Sequence, residues 1–295
     1  MKIRNGFLML SATMVLSLTA PVFAADVSVE PELGPLSATI DAWAGALFIT
    51  DTEENVVPGE TDLFAYGADG RLRFDLTDAI SIQADASIDD TDKNNGDDFH
   101  QGGWLLGGHL NWNNPDSGLL GVFGGIGTST SDEEDTDYWL VGGEGQMYFD
   151  QSTIYLQVGY FDGDAPGADS DDAFHDAIFG RIVGRYFLSS ESRLQAEFSY
   201  AHGEQDLDDQ NMDILGWGAR FDHQLFESVG FFTAYDGSYY DNGSGSDSGS
   251  YFEHQVRGGI SISLGRPDLL TTDRRGPNLD MPWATHWASS GETID

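Results

Sequence analysis

The chain has 295 residues, no cysteine, and 50 acidic against 13 basic residues, which gives a formal net charge of −37. A charge this negative argues against nucleic acid as a partner, because the phosphates would be repelled. The lack of cysteine excludes disulfides, thiolate metal sites and catalytic thiols, and we expect neither a metal nor another cofactor.

The first 25 residues are typical of a secretory signal peptide rather than of a buried helix. A positively charged start and a short apolar run precede Val22-Phe23-Ala24, which has the small-x-small pattern of a cleavage site. We therefore predict a signal peptide at 1–25 and a short periplasmic segment at 26–35. No later apolar run approaches the ~20 residues of a membrane helix. In a membrane, the mature chain must therefore form a closed barrel, because only that alternative satisfies every backbone group.

Residues 62–89 predict two antiparallel strands. In DLFAYGADGRLRFD, which starts at Asp62, mostly apolar residues at even positions alternate with charged or small residues at odd positions. Thr77 and Asp78 mark a tight turn, after which ISIQADASID alternates in the same way. A period of two predicts β-strands, since successive side chains point to opposite faces. One face of each strand is therefore apolar and the other is polar or charged.

The same alternation recurs as far as residue 264 and predicts twelve strands. Most are long enough for an outer-membrane strand, which needs about 9–11 residues. All nine prolines fall outside the predicted strands, as expected because a central strand cannot spare the backbone donor. Short turns alternate with longer, acidic loops, which is typical of outer-membrane barrels. An even number of strands places both termini at the short-turn rim, which would face the periplasm.

The last predicted strand, RGGISISL at 257–264, has a polar residue, a glycine two positions later, and apolar residues three and five positions further on. These positions are Arg257, Gly259, Ile262 and Leu264. They resemble the assembly signal of Gram-negative outer-membrane barrels, and the chain over 36–265 resembles such a β-barrel of porin-like type. The resemblance implies an all-β fold, a closed antiparallel transmembrane β-barrel of about 12 strands, in the outer membrane of a Gram-negative bacterium. It also implies contact with outer-membrane lipid and lipopolysaccharide, and with the barrel assembly machinery through Arg257 to Leu264.

Charged residues on the polar faces of the strands are predicted to line the lumen. An arginine that faces lipid at the bilayer midplane costs about 2–4 kcal/mol, whereas a wet lumen accepts it at little cost. The predicted basic ladder consists of Arg71, Arg73, Arg181, Arg185, Arg193, Arg220 and Arg257. The carboxylates expected to oppose it or pair with it are Asp69, Asp85, Glu144, Glu197 and Asp222.

This lumen predicts a porin-like channel for passive diffusion of small hydrophilic solutes or ions. The alternative is a non-conducting structural or surface-interaction barrel with an ion-paired interior. Barrels of about eight strands are usually filled and barrels of about 16–18 strands leave a wide channel, so twelve strands leave both functions open. A soluble secreted β-sandwich with a sugar-binding face is a third possibility.

The sequence predicts no enzyme. No histidine lies beside a serine in a recognisable nucleophile motif, as a barrel-embedded lipid hydrolase would require. The stretch GVFGGIG at 121–127 has no following helix, so it is not a dinucleotide-binding motif; its small residues are expected to admit neighbouring backbones or relieve curvature. Asp90, Asp92 and Asn94 have calcium-ligand spacing, but the glycine is one place late and the twelfth position is Gln101, which disfavours a calcium loop.

The chain continues for 31 residues beyond Leu264, to Asp295, whereas outer-membrane barrels usually end at the last strand. We predict a periplasmic C-terminal tail at 266–295. The favoured interpretation is a solvated terminal segment. The alternative is that Arg274, Arg275 and the tryptophans of the tail dock at the acidic periplasmic mouth and restrict the pore.

Overall fold

A computed structural model describes residues 34–51, 61–92, 101–131, 135–164, 173–205, 210–241 and 250–288. The predicted signal peptide, most of the 26–35 segment, Asn94 of the acidic loop and residues 289–295 lie outside these ranges. None of the helices in the ranges is long and apolar enough to cross a membrane.

Twelve antiparallel strands make up most of the described chain. They are β1 (Leu36–Asp51), β2 (Thr61–Asp75), β3 (Ile80–Asp92), β4 (Gln101–Asn114), β5 (Gly118–Ser131), β6 (Asp135–Phe149), β7 (Ser152–Asp164), β8 (Phe174–Ser189), β9 (Ser192–Gln205), β10 (Gln210–Phe226), β11 (Val229–Asp241) and β12 (Ser250–Leu264). Each strand pairs with its neighbours in the sequence, and β1 pairs with β12, so that the sheet closes into a barrel. The predicted closed antiparallel barrel is therefore confirmed, and a two-sheet sandwich is excluded.

The strand β12 closes the barrel by pairing with both β1 and β11. Its Arg257 lies opposite Gly45 of β1. A Cβ at Gly259 would approach the carbonyl oxygen of Ala42 to 2.4 Å and the ring of Phe232 to 2.6 Å. A glycine is therefore needed where the neighbouring backbone and an inward-facing ring come this close. The segment that resembles an assembly signal is the closing strand of the barrel.

The two faces of the barrel wall follow the predicted alternation. In β8, Ile178 and Ile182 point outward and are 69% and 45% exposed, whereas Arg181 and Arg185 point inward and are buried. Outward apolar side chains of the other strands include Leu72, Ile82, Leu106, Val122, Val158, Phe198 and Ile260. An apolar outer face around charged interior groups is what a transmembrane barrel requires. The predicted orientation of the strands is confirmed.

Aromatic residues surround the outer wall near the rim of the long loops. Tyr66 Oη donates to Asp90 Oδ2 at 3.0 Å, and Trp139 Nε1 donates to Asp162 Oδ2 at 3.1 Å. Other exposed members are Phe64, Trp104 and Tyr200. Rings with an apolar body and a polar tip suit the boundary between hydrocarbon and headgroups, so this belt marks one edge of the membrane-facing surface.

Candidate functional site

Five charged side chains form a continuous series of ion pairs in the lumen. Arg71 Nη2 and Arg220 Nη2 each lie 3.0 Å from Oδ2 of Asp41. Arg220 Nε and Arg193 Nη2 lie 2.8 and 3.0 Å from the two carboxylate oxygens of Asp222. Because β1 and β10 are not neighbours in the sheet, the pair between Asp41 and Arg220 links separate parts of the wall.

Two further arginines of the predicted ladder contact the C-terminal tail. Arg257 Nε donates to Asp236 Oδ2 at 3.0 Å, and its guanidinium lies 5.3 Å from the ring centre of Trp283. Arg73 Nη1 donates to the carbonyl oxygen of Gly276 at 3.1 Å. Part of the predicted basic ladder therefore contacts the C-terminal tail of the same chain.

The described part of the tail lies inside the barrel. It starts at the short-turn rim with α1 (Leu269–Arg275), whose N-cap Asp268 accepts a hydrogen bond from Thr271 N at 2.7 Å. It continues along the lumen to α2 (Thr285–Ala288), all four residues of which are buried. Between the two helices, Leu279 is 0% exposed and packs among apolar side chains of the wall.

This position differs from the solvated tail that the sequence analysis favoured, and it goes deeper than docking at the mouth. The physical reason is that apolar side chains of the tail meet apolar side chains that point inward from the strands. Trp287 packs edge-on between Phe161 and Phe179, with ring centres 5.9 and 5.4 Å away. Arg274 does lie near the rim, where its Nη2 donates to the carbonyl oxygen of Phe149 at 2.5 Å.

Two glycines make room for Met281 of the tail. A Cβ at Gly107 would lie 2.7 Å from Met281 Cγ, and a Cβ at Gly125 would lie 2.7 Å from Met281 Cε. Gly125 belongs to the glycine-rich stretch at 121–127, whose small residues are expected to admit neighbouring backbones or relieve curvature. At Gly125 both the backbone of the adjacent strand and the Met281 side chain of the tail come close.

His286 ties the inner end of the tail to two strands. Its Nε2 lies 3.1 Å from Asp89 Oδ2, and its Nδ1 lies 2.8 Å from Glu253 Oε1. Burial lowers the pKa of His286, but the charges and hydrogen bonds of Glu253 and Asp89 outweigh it and raise the pKa to about 10. His286 is therefore a cation at neutral pH.

Asp280 of the tail binds both arginines of β8. Arg181 Nη2 donates to Asp280 Oδ2 at 2.6 Å, and Arg185 Nη2 donates to Asp280 Oδ1 at 3.1 Å. Burial would raise the pKa of Asp280, but the positive charges of Arg181 and Arg185 outweigh this effect. The pKa of Asp280 therefore lies well below its ordinary value. Arg181 also pairs with the predicted Glu197 at 2.7 Å, and Arg185 with Asp273 of α1 at 3.0 Å.

His109, to which the sequence assigned no role, lies between two of the predicted carboxylates. Its Nε2 is 3.0 Å from Asp85 Oδ2, and its Nδ1 is 2.9 Å from Glu144 Oε1. Tyr155 Oη donates to the other oxygen of Glu144 at 2.7 Å. Asp85 and Glu144 therefore pair with a histidine rather than with the arginines. Across the ranges that the structure describes, no group of three or more His, Asp or Glu is suited to hold a metal ion.

A cavity of about 140 Å³ lies beside the tail. Nine of the twelve predicted channel-lining residues are on its wall: Arg71, Arg181, Arg185, Arg193, Arg220, Arg257, Asp69, Asp85 and Glu197. Arg73, Glu144 and Asp222 point into the lumen elsewhere. Asp280, Met281 and Trp283 of the tail complete the wall. Sequence reasoning considered the tryptophans of the tail, Trp283 among them, only for docking at the mouth. It missed Asp280 and Met281 because they belong to no strand with a readable period.

The comparisons with known proteins agree with the barrel fold. No protein-family model matches the sequence, and neither does any curated protein. An outer membrane channel from Pseudomonas putida F1 is similar in structure, with a TM-score of 0.54 and 12% identity over 82% of this chain and 100% of that chain. The translocator domain of the autotransporter NalP from Neisseria meningitidis aligns with a TM-score of 0.47 and 14% identity over 77% of this chain and 88% of that chain. The chain thus has the fold of a Gram-negative outer-membrane β-barrel, as predicted.

Tail docking should weaken as the pH rises, and His286→Phe should abolish this dependence. Because the pKa of His286 is raised from 6.5 to about 10, its stabilising contribution is full below pH 6.5 and is lost progressively as the pH rises toward 10. The chain has no cysteine, so an Ala288→Cys variant, at a buried position, reports release of the tail through its rate of thiol modification.

That rate should be divided by the rate for Ser117→Cys, in an exposed turn, to remove the pH dependence of the thiol itself. The corrected rate should rise from pH 6.5 to 10 when His286 is present. With His286→Phe it should already be high at neutral pH and should stay flat. A flat profile in the parent protein would show that His286 does not hold the tail.

Proposed function

We propose that the protein is an outer-membrane channel for passive diffusion of small hydrophilic solutes or ions through its charged lumen. The observation that carries this proposal is the cavity beside the tail, where arginines and carboxylates from opposite sides of the barrel face one polar space. Charged side chains that line a narrow passage select and order small polar solutes. The fold is shared with a protein described as an outer membrane channel, which agrees with this function. In this proposal, residues 266–288 narrow the pathway.

A second candidate is a non-conducting barrel with an ion-paired interior. The contacts of the tail favour it: Leu279 is fully buried among wall residues, and Asp280 forms ion pairs with two arginines. In this case the ion pairs and the tail are structural fillers. The two candidates differ in one property, which is whether ions cross the barrel.

Current through purified full-length protein in a planar lipid bilayer tests the proposal. A channel gives discrete current steps, which we expect to be small because the tail fills part of the lumen. The protein must be shown to be folded, for example by the mobility of the unheated barrel in electrophoresis. Folded protein that never gives current steps would favour the structural candidate.

Two variants on the same strand test whether ions pass the cavity. Under a salt gradient, Arg71→Gln should shift the reversal potential toward cation selectivity, because it removes a positive charge from the cavity wall. Asp69→Asn, two residues away on the same face, should shift it in the opposite direction. Identical reversal potentials in both variants and the parent would mean that the ions take another route.

A further inference from the structure

The contact between Asp280 and the arginines of β8 has the geometry of a bound carboxylate. Arg181 and Arg185 each donate to a different carboxylate oxygen, at 2.6 and 3.1 Å. Charge-assisted hydrogen bonds of this kind are how arginines recognise carboxylate groups. Here the donors belong to the barrel wall, whereas the acceptor belongs to the tail.

The two guanidinium groups are held in place by residues other than Asp280. Arg181 Nη1 donates to Gln157 Oε1 at 3.1 Å, and Arg185 Nε donates to Gln195 Oε1 at 3.2 Å. Both acceptors are side chains of the strands on either side of β8. The arginine pair is therefore prearranged by the wall and should keep its orientation when Asp280 leaves.

The ring of Tyr155 adds a further support from the wall. The guanidinium carbons of Arg181 and Arg185 lie 5.9 and 5.5 Å from its centre, within the range of a cation–π contact. Tyr155 is itself fully buried. The ring fixes one side of the pair, and Asp280 lies on the cavity wall together with both arginines.

A solute in the cavity has access to the same arginines. The side chain of Asp280 is 24% exposed, whereas the side chains of Arg181 and Arg185 are 5% and 2% exposed. The cavity is lined by all three and by Arg71. The same arginines also pair with Glu197 at 2.7 Å and with Asp273 at 3.0 Å, and Asp280 is the most exposed of the three carboxylates. A free carboxylate that enters the cavity would therefore compete with Asp280 first.

We propose that Arg181 and Arg185 form a carboxylate-binding site of the lumen, and that Asp280 occupies it in the place of a small organic carboxylate. Asp280 is tethered, so it competes at a high effective concentration, and a solute must be abundant to displace it. That the natural occupant is a transported solute rests on the channel function proposed above. The affinity of the arginine pair for a carboxylate is independent of that function.

Full-length Asp280→Ala tests the site, because it removes the carboxylate and leaves room for formate. Thermal unfolding in detergent should be followed with sodium formate, and with equal concentrations of sodium chloride and of formamide. Formate should raise the unfolding midpoint in a concentration-dependent way, and neither control should do so. In the parent protein the same shift should require at least about 10-fold more formate, because Asp280 competes.

The variant that combines Asp280→Ala with Arg181→Gln and Arg185→Gln should lose the response to formate. An equal shift with chloride or formamide, or a response that persists without the arginines, would overturn the proposal, as would no response in Asp280→Ala. If Asp280→Ala folds poorly, the yield of folded barrel with formate against chloride becomes the readout. Unfolding is measured without a bilayer, so a formate response in a protein that conducts no current would reject the channel function alone.

Discussion

Truncation of the chain after Pro267 should raise the single-channel conductance several-fold above that of the full-length protein. In the structure the tail runs along the lumen, from α1 at the short-turn rim to Trp287 between Phe161 and Phe179. Its removal would leave a twelve-stranded interior, wider than that of barrels of about eight strands, which side chains fill. Single-channel recording of both proteins in the same bilayer is the measurement.

The truncation keeps Arg266, because this residue contributes to the closing seam. Its Nη1 donates to the carbonyl oxygen of Gly34 at 3.1 Å, and its Nη2 to Asp75 Oδ2 at 3.0 Å. A full-length Trp287→Ala variant is the matched comparison: it loosens the inner end of the tail and should give an intermediate conductance with more frequent steps. A folded truncated barrel with unchanged conductance would show that wall side chains alone close the lumen.

The barrel was predictable because the membrane imposes one rule on every strand. Neighbours such as Arg181 and Ile182 must face opposite solvents, so the period of two is visible wherever a strand crosses the membrane. The same rule placed every predicted channel-lining residue on the inner face. The short turns were also readable: Thr77 Oγ1 accepts from the backbone of Ala79 and Ile80 at 3.2 and 3.0 Å, as expected of a turn-forming threonine.

The partners inside the lumen were not predictable, because they depend on distances around the circumference. Asp41 and Arg220 meet across non-adjacent strands, and no local pattern encodes that approach. The tail was hidden for a different reason, since it has no period and its apolar residues resemble those of any terminal segment. One signal pointed to it: Phe161 and Phe179 occupy inward positions of β7 and β8, whose inner faces also carry the buried Tyr155 and Val183, and buried rings need a cover.

Replacement of Asp41 by alanine should lower the free energy of unfolding by about 3–5 kcal/mol, the usual cost of removing one partner from a buried ion pair. The side chain of Asp41 is 1% exposed and compensates both Arg71 and Arg220 at 3.0 Å. Without it, Arg71 loses its ion-pair partner and Arg220 keeps only Asp222. Urea unfolding of the barrel in lipid vesicles, followed by tryptophan fluorescence, gives the value.

Two further variants test whether the loss of unfolding free energy in Asp41→Ala comes from the uncompensated charge. Asp116→Ala, at an exposed position in a turn, should change the free energy of unfolding by less than about 0.5 kcal/mol. Adding Arg71→Met to Asp41→Ala should restore part of the loss, because it removes the uncompensated cation. A double variant as unstable as Asp41→Ala alone would assign the loss to packing instead.

The magnitude for Asp41→Ala also distinguishes a dry interior from a wet one. Ion pairs in contact with water contribute only about 0–1 kcal/mol, since water replaces the missing partner. A loss below about 1 kcal/mol would therefore mean that water reaches Asp41 and that this side of the lumen is open. A loss in the expected range means that water does not reach Asp41, although Arg71 and Arg220, with which it pairs, also line the cavity beside the tail. In the proposed channel, ions then pass on the cavity side of these two arginines.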